Sequence, residues 1–175
     1  IHISKNKIGL AVGINIASYP WVVVMDADEF MERDTIARCM VEVVASPDTI
    51  AAVGGTLLPA NDIVIDGPDI LDRHTPRNYW VGCQLIEYLT AFVVARPGLA
   101  RIRAMPIVSG GFGLFRREAV IAIDGYRHGH LGEDMDMCLR VQRHLADRGE
   151  SYRVVQVPES ICWTEFPPNH EVLRR

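Results

Sequence analysis

At 175 residues the chain has the length of one domain with a substantial core. Hydrophobic residues make up 49% and charged residues 23%, which excludes a disordered segment. A net charge of -4 and an isoelectric point near 5.8 exclude a broadly basic face, so no nucleic-acid partner is expected.

Residues 1–3 suit a short strand, and residues 9–18 read as a small-residue helix that Tyr19-Pro20 breaks. The continuous apolar run Trp21-Val22-Val23-Val24-Met25 predicts a buried strand over residues 21–26, ending in Asp26-Ala27-Asp28. Side chains two apart on a strand point the same way, so Asp26 and Asp28 are expected to converge. Ligands of open α/β sheets sit beyond the carboxyl ends of the strands. Two carboxylates there suit a hard divalent cation, Mg2+ or Mn2+, beside a diphosphate. The plain alternative is a pair of solvated acids at a strand end.

Asp34 is placed to cap a helix over residues 35–45, with Ile36, Met40, Val43 and Val44 as its apolar stripe. Ser46-Pro47-Asp48 ends it, and residues 50–55 offer another strand. This alternation predicts a largely parallel α/β sheet. Residues 58–77, rich in Pro, Asp, Gly and Asn, read as a long loop. A mostly apolar helix is expected over residues 79–96, stopped by Pro97-Gly98. Gln84 and Glu87 interrupt it, which favours a helix lying along a membrane surface or under a neighbouring segment over a membrane span.

Ser109-Gly110-Gly111-Phe112-Gly113 reads as a flexible turn before Leu114-Phe115-Arg116-Arg117. Glycines there can let the backbone approach a ligand closely. Arg116 and Arg117 fit either a phosphate contact or a solvated helix start. His128 and His130 invite a zinc reading, but without further ligands nearby a loop with two histidines is favoured. A helix over residues 133–148 carries Glu133, Asp134 and Asp136 in its first turn and ends at Gly149. These acids can simply offset the helix dipole, or one can act as a base. Residues 152–157 and 161–164 read as closing strands.

Cys39, Cys83, Cys138 and Cys162 are dispersed without a CxxC pair and are expected to be reduced and mostly buried, as in a cytosolic protein. No signal peptide is visible, and no apolar stretch reaches the ~20 residues of a bilayer span. A start at Ile1 reads as a piece of a longer protein.

Several of these pieces occur in one order: Asp26-Ala27-Asp28, Gln84-Leu85-Ile86-Glu87-Tyr88, the run from Val108 through Gly110, Gly111 and Phe112 to Arg117, Gly125-Tyr126, Gly132-Glu133-Asp134 and Cys162-Trp163-Thr164-Glu165. The ordered set resembles family 2 glycosyltransferases of the GT-A fold, especially the membrane-associated, often processive branch with the cellulose, chitin and hyaluronan synthases. The resemblance implies an α/β, Rossmann-related GT-A-like domain with a mostly parallel sheet flanked by helices. It covers residues 1–175 as a single, partial domain. The family's opening βα units and its later QxxRW motif lie outside the chain.

The implied reaction is inverting, metal-dependent transfer of glucose or N-acetylglucosamine from a UDP-sugar to a hydroxyl of a growing polysaccharide or lipid-linked glycan. By resemblance Asp28 is the direct metal ligand, and Asp26 contacts the ribose or a metal-bound water. Gly110 and Gly111 then lie against the donor, Asp134 is the general base with Glu133 beside it, and Trp163 and Glu165 face the acceptor. The implied location is the cytoplasmic face of the cell membrane, held there by segments outside this chain. The alternatives left open are a nucleotidyltransferase with a similar acidic site and a nucleotide-sugar-binding scaffold without catalysis.

Overall fold

The computed structural model describes residues 7–66, 69–127 and 132–174, so the short strand expected at residues 1–3 falls outside it. In chain order the elements are α1 (Lys7–Ile16), β1 (Trp21–Met25), β2 (Phe30–Met31), α2 (Thr35–Ala45) and β3 (Ile50–Pro59). A hairpin of β4 (Ile63–Asp66) and β5 (Asp69–Arg73) follows, then α3 (Tyr79–Leu89), a π-helical stretch (Thr90–Ala95) and α4 (Arg96–Arg101). The chain closes with β6 (Phe112–Arg116), α5 (Arg117–Ala122), α6 (Glu133–Asp147), β7 (Arg153–Thr164) and α7 (His170–Leu173).

Five strands form the main sheet in the order β1-β6-β3-β7-β2. β3 and β7 pair in parallel, whereas β6 runs antiparallel to both β1 and β3, and β2 antiparallel to β7. The α/β class is as expected. The expected parallel pairing is corrected: β1, β3 and β7 share a direction, but β6 is inserted against them and three of the four neighbouring pairs are antiparallel.

Both faces of this sheet are covered, which is why its strands read as apolar runs rather than as a clean alternation. Within those runs successive residues still part to opposite sides. Ala52, Phe115 and Val154 join a core with Val22, Val24, Val120, Met137 and Val141. Their neighbours Val53, Leu114 and Val155 join a second core with Cys39, Val43, Phe92 and Phe112. Hydrogen bonds fix α2 to β7: Thr35 Oγ1 donates to the Ile161 carbonyl at 2.6 Å, and Ser160 Oγ to the Thr35 carbonyl at 2.7 Å.

Several local readings are corrected. On α2 the buried side chains are Thr35, Cys39 and Val43, while Val44 is 74% exposed, so the apolar stripe is turned by about one residue. Asp34 makes no cap hydrogen bond; its carboxylate takes Arg38 one turn on, at 2.7 Å. The long loop at 58–77 contains the β4–β5 hairpin, tied down by Arg33 to Asp69 at 2.6 Å and Arg73 to Glu32 at 2.8 Å. Pro97 does not stop its helix. The wide π turn ahead of it ends one helical register and begins another, so Pro97 falls in the first turn of α4, where a missing amide hydrogen costs nothing. β7 is one strand, with a register irregularity where two strands were expected.

Arg116 and Arg117 serve the backbone. Arg116 donates to the Ile50 carbonyl at 2.8 Å and Arg117 to the Ile14 carbonyl at 2.8 Å, at the start of a helix as in the second of the two readings. The four cysteines are free, and all but Cys83 are buried. No helix among the described residues is long and apolar enough to cross a membrane.

Gly55 on β3 leaves room for the Phe112 ring from β6 and the Ser160 carbonyl from β7. A Cβ on Gly55 would strike the Ser160 carbonyl and come within 2.6 Å of the Phe112 ring. Gly55→Ala is therefore expected to lose about 1–3 kcal/mol to overpacking. Gly82, inside α3 with open space around its Cβ, should gain about 0.5–1 kcal/mol as alanine. Urea unfolding of the two variants at constant m-value checks both signs.

Candidate active site

β1 makes its last sheet pair between Met25 and Phe112, and the chain turns immediately afterwards. The Asp26 amide donates to the Gly111 carbonyl at 3.1 Å, and the Glu29 amide reaches back to the Asp26 carbonyl at 3.4 Å. The strand thus ends one residue before Asp26, and Asp28 lies on a turn. Strand alternation does not extend to Asp28, so the expected reason for the two carboxylates to converge is corrected. Both are exposed; Asp26 lines the cleft described next, and Asp28 sits outside its lining.

The cleft has a volume of about 420 Å³ and opens beyond the carboxyl ends of β1, β3 and β7. Asp26 comes from the end of β1, and Gly110 and Gly111 from the approach to β6. Glu133 and Asp134 come from the first turn of α6, and Glu165 from the end of β7. Gly132 has φ +79°, a left-handed turn that glycine adopts without strain, and it swings α6 so that its acids enter the cleft. The Gly110 amide donates to Asp134 Oδ2 at 3.1 Å. A Cβ on Gly110 would lie within 2.6 Å of the Asp134 carboxylate carbon, so only glycine allows this approach.

Asp136, the third acid of the helix start, is turned away. It pairs with Arg140 at 2.8 Å, and Arg140 also holds the Ile123 carbonyl at 2.6 Å. Trp163 does not line the cleft. It is 5% exposed, its indole donates to Glu32 at 3.2 Å, and Arg73 covers the ring at 5.7 Å. The acceptor-stacking role expected for Trp163 is corrected to a packing role, because its ring meets Glu32 and Arg73 and not the cleft. His128 and His130 lie outside the described residues.

Glu29 was not singled out by sequence. It lines the cleft beneath Gly111, accepts from Cys162 Sγ at 3.5 Å, and its carboxyl is pushed up to about 7. Burial is the larger cause, and the charge of Asp26 the next. The signal was present as a third acid directly after Asp26-Ala27-Asp28. Burial, with Asp134 and then Asp26 nearby, also raises the Tyr126 phenol, and Tyr88 joins Tyr126 in the cleft wall.

Five carboxylates thus line one cleft. Among the described residues no three His, Cys, Asp or Glu side chains are gathered tightly enough to hold a metal alone. A hard cation bound by one or two carboxylates and by phosphate oxygens fits that donor set, and its charge would offset that of Asp26, which adds to burial in raising the Glu29 carboxyl.

Residues 21–175 match the family model of glycosyl transferase family group 2, and the chain belongs to that family. It is similar to the poly-beta-1,6-N-acetyl-D-glucosamine synthases of Staphylococcus aureus strains COL and N315. Each is 27% identical over 155 residues, covering 89% of this chain and 32% of the relative. The chain therefore spans about a third of the length of those curated relatives. In structure it resembles the mannosyltransferase PcManGT from Pyrobaculum calidifontis in complex with GDP-Man and Mn2+, with a TM-score of 0.61 and 20% identity. That match covers 94% of this chain and 37% of the other. The fold is that of a GT-A glycosyltransferase, a mixed α/β sheet flanked by helices.

Proposed function

We propose that the chain is the catalytic half-site of an inverting, metal-dependent glycosyltransferase. It moves glucose or N-acetylglucosamine from a UDP-sugar to a hydroxyl of a growing polysaccharide or lipid-linked glycan. One observation carries the reading: the dipeptide Gly110-Gly111 binds both acidic motifs, through Gly111 O to the Asp26 amide and through the Gly110 amide to Asp134. Two carboxylates distant in sequence thereby share one cleft.

Asp134 is the base. Held by the Gly110 amide, it takes the proton of the acceptor hydroxyl as that oxygen attacks the anomeric carbon. The bond from that carbon to the diphosphate oxygen breaks, and its electron pair leaves with the UDP. A single base on the face opposite the leaving group inverts the anomeric centre. Asp26 and Asp28 are the residues that would hold Mg2+ or Mn2+, which supplies charge to offset the diphosphate. The use of Mn2+ with GDP-Man by the structural neighbour supports a divalent ion here. Glu133 borders the base, and Gly110 and Gly111 present bare backbone to the donor. The synthase relatives support polysaccharide as the product class, and the membrane-associated branch supports a place on the cytoplasmic face of the cell membrane.

In the full-length protein, Asp28→Asn should strongly weaken Mg2+- or Mn2+-dependent UDP-sugar binding measured by calorimetry. Unchanged, metal-independent binding removes the metal assignment. Asp134→Asn should lower turnover about 10²–10⁴-fold with donor affinity little changed. Asp136→Asn should cost only a helix-end and ion-pair contribution of about 0.3–1 kcal/mol in stability. Equal loss of turnover in the two variants would place the base elsewhere. Fractionation of the full-length protein should recover it with membranes, and recovery wholly in the soluble fraction contradicts that location.

A further inference from the structure

Beyond Thr164 the sheet ladder runs out. Pro59 pairs with Thr164, and the Ala60 amide donates to the Thr164 carbonyl at 2.8 Å. The next residues, Glu165-Phe166-Pro167-Pro168, include two prolines without amide hydrogens, so a ladder cannot hold them. Three side-chain amides do so instead. Asn61 Nδ2 donates to the Phe166 carbonyl at 2.9 Å, and the Phe166 amide donates back to Asn61 Oδ1 at 2.9 Å. Gln84 Nε2 donates to the Pro167 carbonyl at 2.9 Å, and Asn78 Nδ2 to the Pro168 carbonyl at 2.9 Å.

Three successive carbonyls therefore each accept from a different side-chain amide. The Phe166 ring, 3% exposed, packs on Tyr88 at 4.5 Å. Gln84 and Tyr88 stand one turn apart on α3, so one helix face grips the segment by a hydrogen bond and by a ring. Glu87 between them is exposed. Gln84 is itself buried, and its second hydrogen bond, to the Trp80 carbonyl at 3.0 Å, fixes its rotamer.

This clamped strap supplies Thr164, Glu165, Phe166 and Pro167 to the same cleft that Asp134 lines. It follows β7, whereas Asp26 follows β1, and β6 and β3 stand between those strands. At ~4.8 Å per strand spacing the strap is about 14 Å from the Asp26 end of the cleft. By resemblance Glu165 on this strap faces the acceptor; we infer that Asn61, Asn78 and Gln84 are positioning residues that hold the strap at residues 164–168 in place as that wall of the cleft. The acceptor half of this inference rests on the glycosyltransferase reading; the clamp does not.

The test uses the full-length protein with UDP-glucose and UDP-N-acetylglucosamine, reading released UDP with and without a tetrasaccharide of the matching sugar. Gln84→Leu and Asn61→Ala should each raise the KM for the tetrasaccharide about tenfold, because losing a hydrogen bond of about 1.4 kcal/mol lets the strap leave its place in the wall. Donor KM, and UDP release to water in the absence of saccharide, should stay within about twofold. Hydrogen-exchange mass spectrometry of peptides covering residues 160–168 should show faster exchange in both variants. A parallel fall in kcat and donor KM, or unchanged acceptor KM, overturns the acceptor wall. Unchanged exchange overturns the clamp. Wild-type protein that turns over neither donor overturns the acceptor assignment together with the reading beneath it, while the exchange result still decides the clamp.

Discussion

The cleft depends on strand β6 running antiparallel between β1 and β3. Because β6 enters where β1 leaves, the residues just before it are forced to the carboxyl end of β1. Those residues are Gly110 and Gly111, and their backbone groups face in opposite directions. One carbonyl takes the Asp26 amide, and one amide takes the Asp134 carboxylate. Side chains at either position would collide, with Asp134 in one case and Glu29 in the other. A glycine pair flush against two acids is thus a steric consequence of the sheet order.

That arrangement concentrates negative charge. Asp26, Glu29, Glu133, Asp134 and Glu165 share a cleft whose burial already holds Glu29 well above the usual carboxylate range. Within it the charge of Asp26 adds to burial in raising Glu29, a repulsion that a cation bound beside these acids would relieve. A second carboxyl-rich region lies around Glu32, Arg33, Asp69 and Arg73. There each acid faces an arginine, and the result is a tie between the hairpin and α2.

Much of this was legible because it is local. The apolar run at 21–25 is a strand, the periodic pattern at 35–45 and 133–147 is helix, and Gly149 ends the latter with φ +71°. What escaped was set by partners far along the chain. Trp163 is buried because Glu32 and Arg73, distant in sequence, meet its indole. Asp28 is a local exception: it lies on the turn that the Glu29 amide closes onto the Asp26 carbonyl. Pro97 failed to end its helix because the π turn at Thr90–Ala95 had already reset the register, and π turns have no simple sequence mark. Gln84 and Tyr88 were visible as part of a motif, but the carbonyl and ring they meet lie some eighty residues on.

The strand order also has a kinetic side. Among the described residues β1, β2 and β3 do not pair with one another: β1 meets β6, β3 meets β6 and β7, and β2 meets β7. As this part of the chain leaves the ribosome, the run Ile50–Pro59 therefore gains its two sheet neighbours only when residues 112–116 and 153–164 have been made. It is apolar and unpaired at both edges over that interval, the condition under which nascent chains associate with one another or with chaperones. Sheet closure is consequently a late and long-range event, slow by topology rather than by any weakness of the core.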